Sequence, residues 1–218
     1  MTSNVEIVRE TLEQIVNQKQ IDAWDDFFSP DYIARTAPSI GLGFSIDSSG
    51  DTHVVRFIVP GSPADELLEV DDQILWAEDS QQRWDAFEEI AVGVQSHHGS
   101  QLKLGIRRDT ENLEISISRG PMPGYETDCE QAKAEMRDFM TRQIPDLTVE
   151  ILQTIADGDT VACLMDYRGT HAEFKREAIW REAWFARLDD GKIIESWPLP
   201  DIDAYCRQLG YRMTAPNP

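Results

Sequence analysis

The residues best placed to do chemistry fall into three groups. The first is Gly41-Leu42-Gly43, leading into Phe44-Ser45-Ile46. Two glycines flank one leucine ahead of an alternating apolar run. Glycine permits φ values that other residues avoid, and without a Cβ it leaves backbone N–H groups open to a ligand. Such a loop reads as a site for the carboxylate of a peptide C-terminus. The second group is Arg35, Arg181 and Arg187, which can hold an anionic ligand or pair with the chain's many carboxylates. The third is Asp201, His171, Glu195 and Trp197. Asp201 precedes an amphipathic run, where an aspartate is also a good helix N-cap. His171 follows a strand-like run and can be a pocket residue or a strand histidine with its bonds satisfied. Glu195 and Trp197 alternate to one face of a strand; they can line a pocket or, with Trp180 and Trp184, pack the sheet.

Other chemistries lack their motifs. No GxGxxG precedes a helix, and no phosphate-binding loop, HExxH or GxSxG occurs. Cys129, Cys163 and Cys206 are odd in number and widely spaced, which predicts neither a zinc site nor a disulfide framework. No cofactor and no metal are expected. The net charge of −20 divides as −4, −9 and −7 over residues 1–38, 39–120 and 121–218. A field of that sign repels phosphate backbones and anionic lipid, so nucleic acid and membrane surfaces are excluded as main partners. No apolar stretch reaches the ~18 residues of a membrane span. The start, Met1-Thr2-Ser3-Asn4-Val5-Glu6, has neither basic residues nor an apolar run, so a cytoplasmic protein is expected.

The elements that must position these residues follow from periodicity. Val5, Val8, Leu12, Ile15 and Val16 recur at helical spacing, with Asn4 as the expected N-cap. A short helix over 21–28 and a strand over 31–35 follow. In the middle segment, strands are predicted over 54–59, 72–76, 102–106 and 113–117. A helix is expected from Asp79 or Ser80 through about Ser96. From Asp128 a helix resumes with Ala132, Met136, Phe139 and Met140 on its apolar side. Strands are predicted over 148–155, 161–167, 179–188 and 192–197, and a last helix over 202–209 between Asp201 and Gly210.

Within the middle segment an ordered set stands out: Gly41-Leu42-Gly43-Phe44, Val59-Pro60-Gly61-Ser62-Pro63-Ala64 and Asp72-Gln73-Ile74-Leu75, then a helix and two strands. In this, residues 39–120 resemble a PDZ domain. The resemblance implies an extended peptide added to a sheet edge. The N–H groups of Leu42, Gly43 and Phe44 would hold its carboxylate, and Phe44 and Ile46 would pair with it. Phe87, Ala91 and Val94 would shape the side-chain pockets. Phe87 stands where the best-known subclass has histidine, which implies an apolar residue two before the terminus.

The flanks carry a second ordered set. It comprises Ile144-Pro145-Asp146-Leu147, Ala156-Asp157-Gly158-Asp159-Thr160-Val161, Gly169-Thr170-His171, Asp190-Gly191-Lys192-Ile193-Ile194-Glu195-Ser196-Trp197, Asp201 and Gln208-Leu209-Gly210. Joined as 1–38 with 121–218, they resemble the SnoaL-like polyketide and ester cyclase family. The resemblance implies an α+β, cone-shaped nuclear transport factor 2-like domain, a curved antiparallel sheet over helices, interrupted by the PDZ-like domain. It also implies an apolar pocket for a small hydrophobic ligand, with Asp201 and His171 as the acid/base residues. Arg35, Glu195, Trp197 and Trp184 are expected to line that pocket, and a homodimer is expected by analogy. Two functions follow: a small-molecule pocket protein coupled to a peptide-binding adaptor module, or a cyclase- or isomerase-like enzyme acting on a small hydrophobic carbonyl compound.

Overall fold

Ser3 and Glu6 start the first helix by bonding reciprocally. Ser3 Oγ accepts from Glu6 N at 3.2 Å, and Glu6 Oε2 accepts from Ser3 N at 2.7 Å. This capping box satisfies two otherwise orphaned backbone donors, so Ser3 is the N-cap and Asn4 the first helical residue. The computed structural model describes residues 3–47, 50–86, 90, 94, 101–172 and 174–210. Helix α1 (Asn4–Thr11) continues through a wider turn, Leu12–Asn17, and buries Val8, Leu12, Ile15 and Val16. Helix α2 (Trp24–Phe27) is short, because the chain turns into strand β1 (Phe28–Arg35) before Pro30.

The described residues form two units, one from residues up to Ala37 and from Glu126 on, the other Pro38–Tyr125. The second break lies after Tyr125 rather than at Gly120, because β2 (Ser39–Gly41) pairs with β9 (Gly120–Met122) and carries those residues into the middle unit.

The first unit is α+β. Its sheet runs β10 (Glu126–Asp128), β1, β14 (Lys192–Pro200), β13 (Arg176–Asp189), β12 (Thr160–His171), β11 (Thr148–Asp157). Only β1 and β14 pair in parallel. Helix α3 (Cys129–Asp138) is capped by Asp128, whose carboxylate accepts from Gln131 N at 2.9 Å. Helix α4 (Ile202–Leu209) is capped by Asp201 and stopped by Gly210, whose φ of 103° favours glycine. The inner face of the sheet buries Val161, Cys163, Met165 and Tyr167 of β12 against Ala178, Trp180, Trp184, Ala186 and Leu188 of β13. Strand β14 changes phase part-way. Ile193 faces inward opposite Leu188, but Arg187 pairs with Glu195, so Ile194 is an extra residue. This bulge puts Ser196 inside, opposite Ala186, and Glu195 and Trp197 outside, with Arg187 and Phe185.

Strand β13 outruns β14, whose pairing ends at Glu182 opposite Pro200. Beyond that point Gln208 of α4 takes the strand's place. Ile179 N donates to its Oε1 at 2.9 Å, and its Nε2 donates to Ile179 O at 2.6 Å.

The middle unit is built on β3 (Phe44–Asp47), β4 (His53–Ile58), β5 (Gln73–Glu78), β7 (Gln101–Arg108) and β8 (Glu111–Ser118), all antiparallel. Its core is Val55, Ile74, Leu102, Leu104, Ile106 and Ile117, each buried. Asp79 caps no helix; it accepts from Gln81 N and Gln82 N in a turn. Arg83–Trp84 then forms a short strand, β6, against Ala77 and Glu78. No helix of the described residues is long and apolar enough to cross a membrane.

Candidate functional site

On the inner face of β13 the alternation of apolar side chains is broken once, at Glu182. Its neighbours on that face, Trp180 and Trp184, are buried, as is Met165 opposite; Glu182 is half-buried. An acidic side chain thus sits on this face between two buried tryptophans. Among the described residues it has neither an ion-pair nor a hydrogen-bond partner. Burial disfavours the charged form and pushes Glu182 up to about 7.

Aromatic rings gather on its neighbour Trp180. Trp180 stacks on Tyr167 at 5.4 Å between ring centroids, with planes 16° apart. Tyr205 of α4 packs on Trp180 at 4.8 Å, and Phe139 meets it edge-on at 6.2 Å. Farther along the inner face, Tyr32 of β1 is buried and shares a 2.7 Å hydrogen bond with Ser196 Oγ. Glu135 of α3 is open to solvent yet hemmed in by protein, which raises its carboxyl against a bond from Gln131. No group of three His, Cys, Asp or Glu among the described residues is arranged to hold a metal ion.

The residues singled out from sequence are spread over this scaffold. Trp184 lies on the inner face beside Glu182. Glu195 and Arg35 lie on the outer face. There Glu195 accepts from Arg187 Nη2 at 2.6 Å and Nε at 2.9 Å, and from Arg35 Nε. Burial raises the Glu195 carboxyl, but the two guanidiniums outweigh it and hold it below the usual range. Trp197 is on that outer face too, opposite Phe185.

Asp201 is exposed and caps α4, accepting from Ala204 N at 3.0 Å; its own N–H donates to Arg181 O at 2.8 Å. It thus stands at the rim, one residue past the partner of Glu182. His171 is buried at the far end of β12, against Phe174, and burial lowers its pKa. Six residues of strand, about 20 Å, separate it from Met165 opposite Glu182. The structure therefore brings Asp201 and Trp184 near Glu182 and leaves His171, Glu195, Arg35 and Trp197 elsewhere. Glu182 escaped the sequence reading, although Ala178, Trp180, Trp184, Ala186 and Leu188 mark an apolar face that it alone interrupts.

In the middle unit, Gly43 has a φ of 90°, and a Cβ there would overlap Ser62 Oγ. Its carbonyl accepts from Val59 N at 2.8 Å and Ser62 Oγ at 3.2 Å. Leu42 is buried in the core with Val94, and Phe44 and Ile46 pack half-buried against it. Phe87 and Ala91 lie outside the described residues.

Comparison with known proteins places the first unit. Residues 120–209 match the profile of the SnoaL-like polyketide cyclase family. The crystal structure of IdmH, a candidate polyketide cyclase from Streptomyces antibioticus, superposes with a TM-score of 0.52 at 17% identity, covering 95% of this chain and 99% of that one. A candidate SnoaL-like polyketide cyclase from Jannaschia sp. CCS1 gives a TM-score of 0.49 at 13% identity, covering 98% and 93%. At 17% identity the likeness to IdmH is one of fold: the chain carries an α+β fold of the SnoaL-like, nuclear transport factor 2-like kind. No curated protein sequence matches the chain.

Proposed function

We propose that the first unit is a cyclase-type acid/base catalyst acting on a small hydrophobic carbonyl compound. The observation that carries this reading is Glu182, an unpaired carboxyl on an aromatic inner face, pushed up to about 7. A base of that strength is part-ionised at neutral pH and still able to give the proton back. As carboxylate, Glu182 takes a proton from the carbon next to a carbonyl. The electron pair moves to the carbonyl oxygen, and the enolate carbon attacks a second carbonyl of the same molecule. The C–C bond closes a ring, and the Glu182 carboxyl returns its proton to the new alkoxide. No oxidant or reductant is consumed.

The apolar rings supply binding area and keep water from quenching the enolate. Asp201 fixes the start of α4 at the rim, and Tyr205 on that helix holds Trp180 in place. His171 belongs to the far end of β12 and takes no proton in this scheme. Deuterium exchange at the α-carbon of 2-tetralone, a planar hydrophobic ketone, tests the reading. The chain should accelerate exchange, and Glu182→Gln should lower the rate about 10³-fold. Exchange unchanged in that variant would sink it.

A second reading concerns the middle unit, which we propose is PDZ-like and binds a protein C-terminus. The observations favouring it are that β3 ends its sheet and that, among the described residues, the Leu42 and Gly43 N–H groups meet no acceptor. An array of C-terminal peptides, each paired with its amidated form, tests it; binding that ignores amidation would remove the carboxylate role. We also propose a homodimer through the outer sheet face, where Phe185 and Leu199 are exposed. Sedimentation at micromolar concentration should give twice the mass of one chain; a monomer there counts against it.

A further inference from the structure

Beside Glu182 stands a second polar group without a protein partner. Tyr167 is 6% exposed, and among the described residues its hydroxyl makes no hydrogen bond. Buried hydroxyls are nearly always bonded, since an unmet one forfeits its hydration for nothing. Tyr167 is fixed by β12 and by its stack on Trp180, the residue directly opposite it. Glu182 is its diagonal neighbour on the same face, a spacing that long and aromatic side chains bridge.

The two groups do not satisfy each other. A phenol donating to Glu182 would favour the carboxylate and draw its pKa down, whereas burial alone acts on Glu182 and pushes it up. A donor and a base thus lie as diagonal neighbours on one sheet face, each uncommitted among the described residues. Tyr205 differs, being half-buried on α4 with solvent at hand.

We propose that the Tyr167 hydroxyl is the oxyanion donor of this site, giving its hydrogen bond to the carbonyl oxygen of a ligand whose α-proton goes to Glu182. This rests on the acid/base reading above. When the C–H bond breaks, its proton moves to the Glu182 carboxylate and its electron pair ends on the oxygen that Tyr167 holds. The bond is strongest when that oxygen is most negative, so it lowers the barrier more than it tightens ketone binding. Burial, followed by the Glu182 and Cys163 charges, keeps the phenol's pKa well above the ordinary value. It therefore still carries its proton at a pH where Glu182 has lost its own.

The test uses the full chain, with Tyr167→Phe and Glu182→Gln, and 2-tetralone exchange as readout. Tyr167→Phe keeps the ring and its stack on Trp180. Its kcat should fall about 10²-fold with KM within about twofold. If Glu182→Gln abolishes exchange while Tyr167→Phe keeps the wild-type kcat, the oxyanion role is overturned and the acid/base reading stands. If the wild-type chain gives no exchange above buffer, the acid/base reading falls and this inference with it. A second measurement separates the hydroxyl from packing. Quenching of tryptophan fluorescence reports binding of 2-naphthol, a planar hydroxyl mimic of the enol, and of naphthalene, which has the ring alone. Tyr167→Phe should weaken 2-naphthol about tenfold and leave naphthalene unchanged. Equal losses for both would show a packing defect and overturn the assignment.

Discussion

Glu182 and Glu195 sit on adjacent strands of one sheet and have opposite fates. Glu182 faces the aromatic interior, has no partner among the described residues, and is pushed up to about 7. Glu195 faces outward between Arg35 and Arg187, which hold it below the usual carboxylate range in spite of its burial. The residue type is the same, and Glu195 is the more buried of the two. What separates them is whether burial is answered by a cation. A carboxylate clamped by two guanidiniums is structural and poor at taking protons; one left unanswered is held ready to exchange them.

The comparison can be broken at several points. The largest effect is expected from pH. The proposed ring closure needs Glu182 as carboxylate, so kcat should rise with pH through about 7 and then level off. The titratable groups on or against the same sheet face, Tyr167, Cys163 and Tyr205, stay neutral through that range, being raised well above the ordinary value, to about 11 and to about 12. A profile with its limb near the ordinary carboxyl value would show that Glu182 is not held out of water.

The same shift carries a stability cost of opposite sign to the usual carboxylate. The folded state binds the Glu182 proton more tightly than the unfolded chain, so stability is highest below the unfolded pKa and is lost as pH rises through about 7. Glu182→Gln removes this penalty. Urea unfolding at about pH 8 should show the variant more stable by up to ~3 kcal/mol, with almost no difference at about pH 4. Equal gains at both values would assign the effect to packing.

Glu195→Gln should do the reverse. Losing the shared acceptor of two arginines should destabilise the fold by about 1–2 kcal/mol, since both guanidiniums keep solvent access, while exchange activity stays within about twofold. An activity loss near that of Glu182→Gln would bring the outer face into the chemistry. The smallest effect belongs to Asp201→Ala, which removes the α4 cap and should cost about 1 kcal/mol in thermal unfolding. A hundredfold fall in kcat with that modest loss would restore Asp201 as a proton carrier.

Much of the scaffold was legible from sequence. Asp201 and Gly210 bound α4 as read, because a cap and a left-handed stop are local chemistry. The strands of β11 to β14 followed from alternation, which placed all four within a few residues of their observed ends. Two of the misplacements were non-local. Counting in twos from Ile193 puts Glu195 and Trp197 inside with it, but the bulge at Ile194 is fixed by pairing with β13 and flips them outward. Trp84 read as the start of a helical face, yet its partner is Ala77 across a turn held by Asp79. Glu182 was obscured for a related reason: the adjacent Arg181 made a charged pair of it, and only the register shows Arg181 turned outward to Asp166 at 2.8 Å while Glu182 turns in.

The amide of Gln208 has a wider consequence. Where β14 stops, β13 would otherwise present unpaired backbone at Ile179, flanked by exposed apolar surface, and such an edge templates pairing with another chain. One side chain, bonded to both the N–H and the C=O of Ile179, serves as a strand one residue long. α4 is thereby a guard against aggregation as well as a support for Trp180. The helix that packs Tyr205 on Trp180 is also the one that covers this edge, and loosening it would bare Ile179.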